Sequence, residues 1–123
     1  MPNEAETVVN NFISLWAKRN LEDLVACFTE DAVYHNIPME PAKGKAAIRE
    51  AINSFLPTAK SIQFEILRSA ANGNIVFNER IDRMDLGGKQ IALPVAGVFE
   101  VTNGKISLWR DYFDLKMFSK QMA

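Results

Sequence analysis

Apolar positions in the first half of the chain recur at spacings of three and four, the period of a helix. Val8, Val9, Phe12, Ile13, Leu15 and Trp16 share one helical face. Asn3, followed three residues later by Glu6, makes a capping-box pattern that starts this helix. Asn20 with Asp23 marks a second start, and Leu21, Leu24, Val25 and Phe28 predict a short amphipathic helix behind it. A third helix is expected over 44–55, with Ala47, Ile48, Ala51, Ile52 and Phe55 as its apolar face and Pro57 just past its end.

Between the second and third helices, Ala32 to Ile37 reads as a short strand that leads into a loop holding Pro38 and Pro41. The second half changes period, with four extended runs at 60–70, 74–86, 89–102 and 105–117. They are separated by Asn72-Gly73-Asn74, Gly87-Gly88 and Asn103-Gly104, residues that tolerate the positive φ of tight hairpins. Helices first and a meander of strands after predict an α+β chain. The expectation is one cone-shaped domain over residues 1–123. Its N-terminal helices pack on a strongly curved, mixed but mostly antiparallel sheet, with a pocket between the two.

Composition narrows the functions. With 123 residues and 48% hydrophobic content, the chain is long enough for a real core. Its 14 basic and 15 acidic residues offer no field for a phosphate backbone, so no nucleic-acid partner is expected. No apolar run reaches membrane-spanning length, and no membrane partner is expected. The start, Met1-Pro2-Asn3-Glu4-Ala5-Glu6, is acidic where a secretory signal is basic. A single cysteine, Cys27, read as a small core residue of the second helix, excludes an internal disulfide and fits the cytoplasm.

Candidate chemistry comes from polar residues on otherwise apolar strand faces. Residues two apart in a strand point the same way. Val76, Asn78, Arg80, Asp82 and Met84 therefore share a face, as do Ser107, Trp109, Asp111 and Phe113. Tyr34 and Asn36 point together, and His35 points away from them as a structural residue. A carboxylate among aromatics must be paired or hydrogen-bonded. If both faces turn inward, Arg80 can bridge Asp82 and Asp111, giving two carboxyls in unequal environments. One would then serve as base and the other as acid. The plainer reading is that Arg80 with Asp82, and Arg110 with Asp111, are solvated surface pairs. Tyr34, Trp109 and Phe113 would then be ordinary packing residues.

Other chemistries lack their residues. The chain has one histidine, no Gly-x-Ser-x-Gly elbow, no His/Cys cluster at metal spacing and no glycine-rich phosphate loop. Carboxylate acid–base work without a cofactor or metal remains.

Three segments together resemble the limonene-1,2-epoxide hydrolase family. They are Tyr34-His35-Asn36-Ile37-Pro38, Glu79-Arg80-Ile81-Asp82, and the stretch from Gly104-Lys105-Ile106 through Trp109-Arg110-Asp111-Tyr112-Phe113-Asp114. The family's cone fold is shared with ketosteroid isomerases and nuclear transport factor-like domains. The resemblance implies that Asp111 is the general base on a water held by Tyr34 and Asn36. Asp82 is then the acid that protonates the epoxide oxygen, with Arg80 between the aspartates. The resemblance also implies concerted ring opening, no cofactor and a homodimer. Face parity offers Met84, Leu93, Val95, Trp109 and Phe113 as substrate-binding walls, with Ile13 and Trp16 closing the pocket. Such walls suit a lipophilic, terpene-like or cyclic epoxide. Two alternatives stand beside this: an isomerase or polyketide cyclase-like enzyme on the same fold, and a non-catalytic module for a hydrophobic ligand.

Overall fold

The computed structural model describes residues 3–123. Helix α1 (Glu4–Leu15) is capped by Asn3, whose side chain accepts from the Glu6 amide at 3.0 Å. A single 3₁₀ turn, Trp16–Lys18, ends on Arg19 at φ 52°, and this left-handed residue reverses the chain. Helix α2 (Leu21–Val25) is capped by Asn20 in the same manner. Strand β1 (Phe28–Asn36), the two-residue β2 (Ala42–Lys43) and α3 (Lys45–Phe55) follow. Four long strands come next: β3 (Ala59–Asn72), β4 (Ile75–Leu86), β5 (Lys89–Thr102) and β6 (Lys105–Tyr112). Helix α4 (Leu115–Met122) closes the described chain.

The strands form one curved, unclosed sheet in the order β2-β1-β6-β5-β4-β3. Only β1 and β6 run parallel; the other neighbours are antiparallel. The expected α+β architecture is the one observed. Burial alternates along β4 and, from Gln90 onward, along β5, so each strand has one inward face. Helix α1 packs on that face, α3 packs on β1, and Phe12, Trp16, Phe28, Ile52, Phe99 and Trp109 form the centre of the core. Phe12 meets Trp109 edge-on, with ring centroids 5.0 Å apart.

Three expectations need correction. Phe28 lies at the helical spacing of α2 but begins β1, because the helix ends at Val25. Cys27 likewise sits in the turn after α2, partly exposed, with its thiol toward the Asp23 carbonyl at 3.4 Å. The run 105–117 is not one strand. Strand β6 stops at Tyr112, and the Asp114 side chain accepts from the Met117 amide at 3.1 Å to start α4. Phe113 is therefore beyond the strand that placed it. Among the described residues, no helix is long and apolar enough to cross a membrane.

Candidate active site

Arg80 lies on the inward face of β4 and is fully buried. Burying a guanidinium is unfavourable unless its donors are met by charge. Here its Nε and Nη2 donate to the two oxygens of Asp82 at 2.9 and 3.0 Å. Nη2 also donates to Asp111 Oδ2 at 2.7 Å, and Nη1 donates to Asn78 Oδ1 at 2.9 Å. The bridge from Arg80 to both aspartates is thus present, and neither pair is on the surface. Phe64 of β3 lies under the guanidinium, 5.6 Å from the ring centroid.

Strand pairing explains how the groups meet. Asp111 on β6 is in register with Gly97 on β5, and Gly97 with Asn78 on β4. On its other side Asp111 is in register with Asn36 of β1, across the parallel pair. Tyr34 is in register with Trp109 and stacks on it, with centroids 4.2 Å apart and planes 11° apart. Asn36 Nδ2 donates to the Tyr34 hydroxyl at 3.2 Å. The return contact from the hydroxyl is 3.5 Å, long for an O–H···O bond. Trp109 Nε1 donates to Asp111 Oδ1 at 2.6 Å. His35 points away, with Nε2 against the Met39 carbonyl at 2.8 Å.

The electrostatics follow from burial. Desolvation pushes the Asp82 carboxyl up to about 6; the bonds and charge of Arg80 pull it down, and the Asp111 charge adds to the rise. Desolvation also raises Asp111, against the charge and hydrogen bond of Arg80 and the Trp109 N–H. Burial would lower the basicity of Arg80, but its two carboxylate partners together hold it above its ordinary range. Desolvation and the charge of Asp111 raise the Tyr34 hydroxyl, which stays a neutral donor. A buried cluster of one guanidinium and two carboxyls is neutral when the carboxyls hold one proton between them. The titration therefore belongs to the pair.

Asp82, Asp111, Tyr34 and Asn36 open onto a cavity of about 430 Å³. Met84, Leu93, Val95, Trp109 and Phe113 all line it, and so does Trp16, whereas Ile13 is buried in the core behind. Sequence reasoning missed part of the wall. Leu115 and Phe118 come from α4, Phe64 from β3, and Met39 and Glu40 from the loop after β1. Asp114, an N-cap residue three before Met117, was the available sign of α4. Among the described residues no group of three or more His, Cys, Asp or Glu side chains could hold a metal.

A sequence model described as the limonene-1,2-epoxide hydrolase catalytic domain matches residues 3–123. The chain belongs to this family. It is 30% identical over 107 residues to the epoxide hydrolase EphG of Mycobacterium tuberculosis, covering 87% of this chain and 71% of that one. A solved LEH-like epoxide hydrolase from M. tuberculosis superposes with a TM-score of 0.85 at 30% identity, over 96% of this chain and 88% of the other. A candidate polyketide cyclase from Xanthomonas campestris pv. campestris has a TM-score of 0.87 at 20% identity, over 98% and 97% of the two chains. The second likeness shows the fold alone, since one cone serves several chemistries.

Proposed function

We propose that this family member is a cofactor-independent epoxide hydrolase. It adds water to a lipophilic epoxide in one step and releases a vicinal diol. The observation that carries the reading is the Arg80 bridge: two buried carboxyls share one guanidinium at the wall of an apolar cavity.

Roles follow from position. Asn36 and Tyr34 flank Asp111, so a water held by them sits beside that carboxylate, and Asp111 is the base. The Trp109 N–H favours the ionised form of Asp111. The two carboxyls share one proton, and Asp82, which lacks the indole donor that favours the ionised Asp111, carries it and is the acid. The water oxygen bonds to an epoxide carbon as the carbon–oxygen bond of the ring breaks. Asp111 takes the water proton, and the Asp82 proton goes to the ring oxygen. Return of a proton from Asp111 to Asp82 resets the pair. Arg80 keeps the total charge near zero throughout. Met84, Leu93, Val95, Trp109 and Phe113 bind the substrate's apolar body.

The second reading is an isomerase or cyclase-like reaction. Its support is Tyr34, a neutral hydroxyl at the cavity wall suited to donating to an enolate oxygen. Diol formation from a panel of lipophilic epoxides, limonene oxide included, separates the two. Turnover lost in folded Asp111→Asn is the expected result. No turnover on any epoxide would favour the second reading or a ligand-binding role. Unchanged turnover in the variant would remove Asp111 from the mechanism.

The reading extends to a homodimer in the cytoplasm. Phe77 and Tyr112 are 53% and 45% exposed on the outer sheet face, an apolar surface of the kind that pairs subunits. The free thiol of Cys27 fits a reducing compartment. Light scattering on the wild type and on Phe77→Glu tests the dimer, with a monomeric variant expected.

A further inference from the structure

Arg80 bonds to three side chains, and only two of them belong to the acid–base pair. The third is Asn78, two residues earlier on the same inward face of β4. Asn78 is 4% exposed, and its Nδ2 is buried with no hydrogen-bond partner. A buried amide with an unmet donor is unfavourable, and a leucine of similar volume would avoid it. The space around this bond is also specific. A Cβ at Gly97 would lie 2.5 Å from Arg80 Nη1 and 2.8 Å from Asn78 Oδ1. Gly97 is absent from the chain's positive-φ residues, so its backbone conformation does not call for glycine. The close approach of the two side chains does.

We propose that Asn78 is a positioning residue for the acid–base pair. Its carbonyl pins Nη1 over Gly97, so that only Nη2 reaches Asp111 while Nε and Nη2 hold Asp82 side-on. A guanidinium has a competing mode, an end-on fork of Nη1 and Nη2 onto one carboxylate. Turned that way, Arg80 would pair fully with Asp111, weaken it as a base and release one bond to Asp82. Asn78 occupies the nitrogen that this mode needs. The consequence for catalysis rests on the epoxide-hydrolase reading; the positioning itself does not.

The ionisable groups that face one another here are Arg80 and Asp82 on β4, Asp111 on β6 and Tyr34 on β1, and Glu40 of the loop after β1 lines the same cavity. Phe64 of β3 and Val95 and Gly97 of β5 add no charge. Carboxyl ¹³C titration of wild type and Asn78→Leu therefore reads the pair without any substrate. The Asp82 midpoint is expected to rise and the Asp111 midpoint to fall. In steady-state assays kcat should drop about tenfold to a hundredfold, as for a misplaced reacting group, with KM little changed. Unmoved midpoints in a folded variant would overturn the proposal. Moved midpoints in a protein that hydrolyses no epoxide would uphold the positioning and sink the functional reading instead. Gly97→Ala attacks the same bond from the facing strand and replaces Asn78→Leu if that variant does not fold. If neither folds, the ¹⁵N spectrum of wild-type Arg80 decides. A distinct, slowly exchanging Nη1 is expected, and one averaged Nη signal would overturn the proposal.

Discussion

The indole N–H of Trp109 points at Asp111 Oδ1 across 2.6 Å, from two residues earlier on the same strand. A donor to a carboxylate stabilises its charged form, so this bond keeps Asp111 more acidic than burial alone would leave it. Trp109→Phe keeps a ring against Tyr34 and removes the donor. The acidic limb of kcat/KM should move to higher pH by about one unit, the worth of one charged hydrogen bond. A pH–rate profile measures it. A limb that stays in place would mean that Asp111 is not the group whose ionisation starts the reaction.

The raised carboxyl of Asp82 makes a signed statement about stability. Its value is 3.8 for an unperturbed side chain and about 6 in the fold. Between these values the folded state binds more protons than the unfolded one, so stability falls as pH rises. Asp111 is shifted in the same direction. The Arg49 bond to Glu22 lowers that carboxyl from 4.5, so its contribution is lost only in acid, below this window. Melting temperature should therefore decline from pH 5 to pH 7 in wild type and decline less in Asp82→Asn, measured by thermal denaturation at fixed ionic strength. An equal decline in both would place the proton elsewhere.

Much of this centre was legible because a strand's period is two. Arg80 with Asp82, and Trp109 with Asp111, each had to share a face, and three hairpin signals set the order of the strands around them. The register was not legible. Nothing in the spacing says that Gly97 stands between Asn78 and Asp111, and that row is what lets one guanidinium reach both strands. The end of β6 was hidden by a real ambiguity: Phe113, Leu115 and Met117 alternate like a strand. The cap at Asp114 prevails because it satisfies the Met117 amide. The same ambiguity misplaced Phe28, which satisfies a helical spacing and a strand start equally well.

Helix α4 is the part of the wall that the strand pattern could not supply. None of its residues is buried, yet Leu115 and Phe118 face the cavity. Its far end is held by Gln121, which accepts from the Ala92 amide at 2.7 Å and donates to the Ala92 carbonyl at 3.0 Å. Phe118→Ala should widen the pocket without touching the carboxyls. Small epoxides should lose about 10- to 200-fold in kcat/KM at most, the worth of removed apolar contact, while bulkier ones lose less or gain. Competition between a small and a bulky epoxide reads this shift directly. An unchanged preference would mean that substrates do not reach α4.

The route of the oxygen atom distinguishes direct water attack from a covalent intermediate. If Asp111 activates water, the new hydroxyl of the diol takes its oxygen from solvent in the first turnover. If an aspartate attacked carbon, the first diol would carry a carboxylate oxygen, and solvent label would enter the protein first. The geometry argues against the second route. Both Asp111 oxygens accept strong hydrogen bonds, from Arg80 and from Trp109, and both Asp82 oxygens bond to Arg80. Such bonds hold the carboxylates as proton acceptors and weaken them as nucleophiles toward carbon. With enzyme in excess over epoxide in ¹⁸O-water, mass spectrometry should find one labelled oxygen in the diol from a single turnover and none in the protein. Unlabelled first-turnover diol, with label appearing in an aspartate, would replace the one-step reaction with an ester route.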